Sequence, residues 1–164
     1  MGETRVVNAS PLITLAKVGR LDLLQDAGVA LVVPEAVAHE VYRGTPEDPA
    51  RLALERGFGA PFAKSPLDPD VLSWSLGAGE SAVLTLARTL DGVAVLDDHE
   101  ARIAARALGV RLTGTLGVVL SAARAGRIAR AADLIRALRS AGLRVEDRVV
   151  ADALSRYLGE EWEP

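Results

Sequence analysis

Apolar and polar positions along this chain fall into short blocks whose period switches between strand-like and helix-like. Arg5-Val6-Val7-Asn8 is a β-rich run that stops at a polar residue. Ala9-Ser10-Pro11 then opens a helix, with Ser10 as N-cap and Pro11 at the first helical position. Leu12, Leu15 and Ala16 recur at helical spacing until Gly19. Arg20 to Asp26 reads as a second short helix, and Ala30-Leu31-Val32-Val33 as the next strand, ended by Pro34. Glu35 to Tyr42 is helical, with Val37 and Val41 one turn apart. Thr45-Pro46-Glu47-Asp48 starts another helix that runs to Gly57. Residues 58–78 read as loop, with one short strand near Ala63. The strongest helix spans Gly79 to Leu90, placing Ala82, Val83, Leu86, Ala87 and Leu90 at core spacing. Asp91-Gly92 turns into the apolar run Val93-Ala94-Val95-Leu96, which ends in Asp97-Asp98. A helix marked by Ile103, Ala104, Ala107 and Leu108 closes at Gly109, and Val110-Arg111-Leu112-Thr113 is a fourth strand. Helices over 117–125, 129–141 and 146–158 complete the chain.

Short apolar strands alternating with helices predict an α/β fold, with a central parallel sheet covered on both faces. The 164 residues suit one domain over 1–158, followed by a short tail at 159–164. Hydrophobic residues at 49% supply a core, and aromatics at only 4% mean it is built from Leu, Ala, Val and Ile. Cysteine is absent, which excludes disulfides, thiolate metal sites and a Cys nucleophile. His39 and His99 are the only histidines, so a metal would need oxygen ligands, meaning Mg²⁺, Mn²⁺ or Ca²⁺. No apolar run approaches membrane-spanning length, and MGETRVVNAS lacks the form of a secretory leader. The expectation is a soluble, cytoplasmic protein with no membrane partner.

The net charge of −3 conceals an asymmetry. Residues 1–100 carry 8 basic against 15 acidic side chains, whereas 101–164 carry 11 arginines against 7 acids. Arg102, Arg106, Arg124 and Arg127 fall in the basic part. Such a division suits a protein that holds cations in one place and polyanions in another, or arginines that coat exposed helix faces.

Ligands of open parallel sheets bind beyond the C-terminal strand ends. Asn8 ends the first strand, and Asp97 and Asp98 end the third. Glu40 lies on the helix after the second strand, and Glu80 starts the helix leading to Asp97. Adjacent carboxylates after a buried strand repel one another unless a cation or donors compensate. Repeated acids without His or Cys suit Mg²⁺ or Mn²⁺. Such a cation neutralises phosphoryl charge and supports phosphodiester cleavage without a covalent nucleophile.

These segments resemble a known family. VVNASPLITLAKVGRLDLL, VVPEAVAHEVYRG, LGAGESAVLTLA, AVLDDHEARIAARALG and LTGTLGVVL, in this order, look like a PIN-domain protein. They are most similar to a subgroup of small prokaryotic PIN proteins related to VapC-type toxins. The resemblance covers residues 5 to about 158. It implies a three-layer α/β/α fold with a parallel sheet of four or five strands. It also implies an endoribonuclease that hydrolyses single-stranded RNA at an acidic pocket for Mg²⁺ or Mn²⁺, and a toxin restrained by a small antitoxin protein. By position, the family's four acids fall on Asn8, Glu40, Glu80 and Asp98, with Asp97 sharing or replacing the last. Thr113 or Thr115 would orient water, and Ser10 would donate to a ligand. Asn8 departs from the family's usual Asp: its amide oxygen can ligate Mg²⁺ but brings no charge. A non-catalytic module that binds RNA or protein is the alternative. Leu12, Ile13 and Leu15 suggest a self-interface, as in related homodimers, or a core face.

Rival motifs do not hold. Gly77-Ala78-Gly79-Glu80-Ser81-Ala82 matches G-x-G-x-x-A, but no good strand precedes it and Glu80 would face a pyrophosphate. Its glycines are read as permitting a sharp turn into the helix. A receiver domain needs a lysine at a late strand end, and Lys17 and Lys64 are the only lysines. His39 and His99 read as surface residues, and Trp74 and Trp162 as packing or anchoring residues.

Overall fold

The computed structural model describes residues 2–164. The first strand, β1 (Glu3–Val7), leads into α1 (Ala9–Lys17) and a single 3₁₀ turn, Leu21–Leu24, where a short helix was expected. Strand β2 (Val29–Val32) is followed by α2 (Glu35–Tyr42), α3 (Pro49–Glu55), α4 (Pro69–Leu72) and α5 (Ala78–Thr89). Then come β3 (Val93–Val95), α6 (His99–Ala107), β4 (Arg111–Thr113), α7 (Thr115–Arg124), α8 (Ala131–Ser140) and α9 (Asp147–Leu158).

The strands form a four-stranded parallel sheet in the order β2-β1-β3-β4. Val6 and Val7 point to opposite faces, and both are fully buried, as are Ala94 and Val95. Helices therefore cover both sides of the sheet, as three layers require. Chain order reverses between β1 and β3, so the crevice for a ligand lies where these two strands end. Asn8 follows β1 there, its backbone N–H donating to Val95 O at 3.1 Å.

Several local expectations change. Asn8, not Ser10, precedes the first helical residue, so Pro11 sits at the third helical position and Ser10 is exposed. Leu12 and Leu15 are buried at 1% and 0% exposure and belong to the core, with Ile13 half-buried against it, so the core-face alternative holds for the two leucines. Within 58–78, Asp68 caps the four-residue α4 through Asp70 N–H, a polar cap that the loop reading missed. Ala63 forms a parallel bridge with Pro34, extending the sheet edge by one pair.

The tail is pinned to α8. Glu160 accepts from the N–H groups of Ala131 and Ala132. Trp162 lies against the guanidiniums of Arg136 and Arg139 and donates its indole N–H to Asp147. Trp162 is thus an anchor, whereas Trp74 is 36% exposed and outside the core. No helix among the described residues is long and apolar enough to cross a membrane.

Candidate active site

Asparagine at an N-cap ordinarily turns its side-chain oxygen onto the helix's own N–H groups. Asn8 makes no such bond. Its side chain is 3% exposed and points across the strand end instead, with Nδ2 donating to Glu80 Oε1 at 3.2 Å. The amide oxygen is buried and has no hydrogen-bond partner among the described residues.

Gly79 explains what that oxygen faces. A Cβ on Gly79 would stand 2.7 Å from Glu40 Oε2 and 3.2 Å from Asn8 Oδ1. Both oxygens therefore crowd the same small space, and glycine keeps it open. Gly79 lies inside the first turn of α5, and Gly77 before it has an ordinary extended conformation (φ −61°, ψ 165°). Beyond permitting the turn into the helix, the glycines keep side chains out of the path of Glu40 and Glu80. A Cβ on Gly77 would come within 2.6 Å of Glu80 Oε2.

The electrostatics are unresolved within the protein. An amide placed between two carboxylates has one donor end and one acceptor end. Whichever way it turns, one carboxylate meets an oxygen. The Glu40 carboxyl is held above the usual carboxylate range, first by desolvation and then by Glu80, with Arg43 opposing. Glu40 is exposed to water on one side, and a cation or a proton would relieve the contact on the other. Two carboxylates and an amide oxygen are hard donors suited to Mg²⁺ or Mn²⁺, with charge to match a divalent ion.

The third-strand acids lie in different surroundings. Asp97 accepts from Thr115 N–H at 2.8 Å and from the Thr115 hydroxyl at 2.5 Å. Arg102 stands beside it, donating to Leu96 O at 2.9 Å, and a Cβ on Gly114 would touch both Asp97 and Arg102. Arg102 loses some basicity to burial and to Arg106, while Asp97 restores part of it. Asp98 caps α6 by accepting from Ala101 N–H at 2.8 Å and is exposed. The expected single gathering of four acids is therefore divided. Among the described residues, no group of three or more His, Cys, Asp or Glu side chains is placed to share a metal. The physical reason is that each aspartate has donors closer to hand, Asp98 in its own helix and Asp97 in the start of α7.

Supporting residues sort similarly. Thr115 is fully buried and its hydroxyl is spent on Asp97, so it holds that carboxylate rather than a water. The Thr113 hydroxyl donates to Gly114 O at 3.4 Å and packs over Gly117. The exposed Ser10 offers its carbonyl to the Thr14 hydroxyl. Arg127 pairs with Asp22 and Asp26 and donates to Asp22 O, so it braces the 3₁₀ turn rather than standing free for a polyanion. Arg102 is likewise an internal partner of the strand end. Arg106 and Arg124 remain exposed on α6 and α7. His39 and His99 are exposed, as expected. The sequence reading missed Gly79 as part of the site. Its signal was available: a glycine in the first turn of the strongest helix costs roughly 1 kcal/mol relative to alanine and calls for a reason.

A family profile described as a PIN domain matches residues 4–159, nearly the whole chain. No curated protein matches the sequence. The match spans the parallel sheet, Asn8, Glu40, Gly79, Glu80 and the Asp97 turn together, and PIN domains are in general nucleases. The chain belongs to the PIN-domain family.

Proposed function

We propose that this protein is an endoribonuclease that hydrolyses single-stranded RNA with Mg²⁺ or Mn²⁺ held by Asn8, Glu40 and Glu80. One observation carries the reading: a buried amide oxygen without a partner is set against the Glu40 carboxylate in a space that Gly79 keeps clear. A divalent cation bound there supplies Lewis acidity and charge neutralisation toward a phosphodiester. The chain's own residues do the rest. Asn8 fixes Glu80 through its Nδ2–H, so one carboxylate is positioned before any ligand arrives. Glu40 contributes the second negative charge from α2. Asp97, oriented by Thr115, anchors the end of β3 to the start of α7 and shapes the far wall of the crevice. The exposed Arg106 and Arg124 stand in the last turns of α6 and α7, helices that start at the strand ends, so they would meet the RNA backbone only where it runs on beyond the site. A toxin role, with a small antitoxin protein as partner, is supported by the sequence resemblance to VapC-related proteins.

The test is cleavage of mixed single-stranded RNAs with Mn²⁺ or Mg²⁺, comparing wild type with Glu80→Gln, alongside calorimetric titration with Mn²⁺. Cleavage and Mn²⁺ binding that are both lost in Glu80→Gln support the reading. Equal cleavage by wild type and variant, or no wild-type cleavage, overturns it. A second reading, a non-catalytic RNA-binding module, is favoured by the neutral Asn8 and by the prior engagement of Asp97 and Asp98 within the fold. RNA binding with no Mn²⁺ uptake at millimolar concentration would select it.

A further inference from the structure

A second hollow adjoins the candidate site along the packing of α2 against α5. It encloses about 230 Å³. Ala36, Ala78 and Ala82 line it together with Leu67 and Leu86, and Glu35, His39 and Lys64 stand on its rim. His39 and Ala78 are the chain neighbours of Glu40 and Gly79, so the hollow opens beside the crowded carboxylates. Ala78 and Ala82 are one helical turn apart on α5, and Ala36 faces them from α2. These small and branched apolar side chains give the hollow a lining against which a planar ring can pack.

The rim is placed by the backbone. Ala63 N–H donates to Val33 O at 2.9 Å and Glu35 N–H donates to Ala63 O at 2.8 Å, which fixes residue 64 at the C-terminal edge of the sheet. Only two of the 19 basic residues are lysines, and Lys64 is one of them. Every ion pair among the described residues uses an arginine, so the Lys64 ammonium is unpaired. It shares the rim with Glu35 without bonding to it. An unpaired ammonium suits a phosphate as a point charge, and a carboxylate suits N–H groups of a base edge.

We propose that this hollow binds one nucleotide of single-stranded RNA, its base against the apolar lining, its phosphate on Lys64 and its pairing edge toward Glu35. The inference rests on the ribonuclease reading and adds a specificity-determining subsite to it. Guanine, which presents adjacent ring and exocyclic N–H groups, is the base that Glu35 serves best.

Fluorescence anisotropy tests this with two labelled RNAs in EDTA, where binding is read without hydrolysis: all-uridine heptamer and the same heptamer with one central guanosine. Wild type binds the guanosine RNA more tightly. Lys64→Ala weakens binding about 5-fold and lowers the slope of log K against log salt by about 0.7. Ala82→Leu fills the hollow and weakens binding by a similar factor, and Glu35→Gln abolishes the guanosine preference. Lys17→Ala, at the far end of α1, leaves all of these unchanged. Absence of wild-type binding, or wild-type affinity and salt slope in both Lys64→Ala and Ala82→Leu, overturns the proposal. Wild-type cleavage of RNA with unaffected subsite variants overturns the hollow alone. Binding losses as expected, with no cleavage in Mn²⁺, overturn the ribonuclease reading and leave the hollow standing.

Discussion

The ends of β1 and β3 lie side by side at the point where chain order reverses, yet they solve opposite problems. After β3, the two acids have partners: Asp97 takes two hydrogen bonds from Thr115 and Asp98 caps α6, while Arg102 stands nearby and donates to Leu96 O. After β1, the polar groups are left in conflict. Asn8 forgoes its capping bond, its oxygen is orphaned, and Glu40 and Glu80 repel across it. The satisfied end is a joint between strand and helix. The conflicted end retains free energy that a ligand can release, which is the usual mark of a binding site. Sequence alone made Asp97-Asp98 the more arresting pair; the packing places the unresolved charge elsewhere.

The largest effect should come from removing a charge at the conflicted end. Glu40→Gln or Glu80→Gln should lower Mn²⁺-dependent RNA cleavage by roughly 100-fold or more, whereas Asp98→Asn, at the satisfied end, should change it by less than about tenfold. A cleavage assay that ranks Asp98→Asn with Glu80→Gln would break the comparison. Gly79→Ala sharpens it further. The new methyl enters the space between Asn8 Oδ1 and Glu40 Oε2. Cleavage and Mn²⁺ affinity should fall about tenfold or more, while the intrinsic preference of a helix for alanine offsets about 1 kcal/mol of the strain the methyl introduces. Calorimetry and a denaturant melt on the same variant separate the two effects.

At the satisfied end the expected loss is in stability. Thr115→Val removes the buried hydroxyl that Asp97 accepts from, and should cost about 1–2 kcal/mol in urea unfolding. The smallest effect has the opposite sign. Burial and Glu80 raise the Glu40 carboxyl above its unfolded value, so the folded state is penalised once pH exceeds the folded pKa. Below the unfolded pKa both states are protonated and the penalty vanishes. Glu40→Gln should therefore raise Tm by about 1–2 °C at neutral pH, and the gain should disappear as pH falls below the carboxylate range. A variant destabilised at neutral pH would contradict the conflict inferred at Asn8.

Much of the fold was legible because it is written in local periodicity. The apolar runs at Val6-Val7, Val93-Val95 and the spacing of Val83, Leu86 and Ala87 require only that buried faces repeat at the strand or helix period. Helix boundaries fell within a few residues of the expected ones. The errors came where local and long-range demands compete. Ser10 is a good cap by composition, but Asn8 occupies the turn because β1 ends at Val7. Leu12 and Leu15 looked available for another copy of the chain, but α1 packs against α2 and α3, with α8 and the 3₁₀ turn also beside it.

The candidate site was legible as residue types and not as partnerships. The sequence by itself determined that any metal would be held by oxygen, since cysteine is absent and only two histidines exist, that Asn8 ends a strand, and that Glu40 and Glu80 lie on helices. It also determined the alternation that forces a parallel sheet. Only the tertiary structure decided which acids face one another, because that depends on the direction of single side chains after a strand ends. Asp97 and Asp98 are adjacent in sequence, yet one bonds to α7 and the other to its own helix. Asn8, Glu40 and Gly79 are distant in sequence, yet packing of α2 against α5 at the end of β1 brings them within contact. Periodicity reports which face is buried; it carries no information about which buried polar atom is left without a partner.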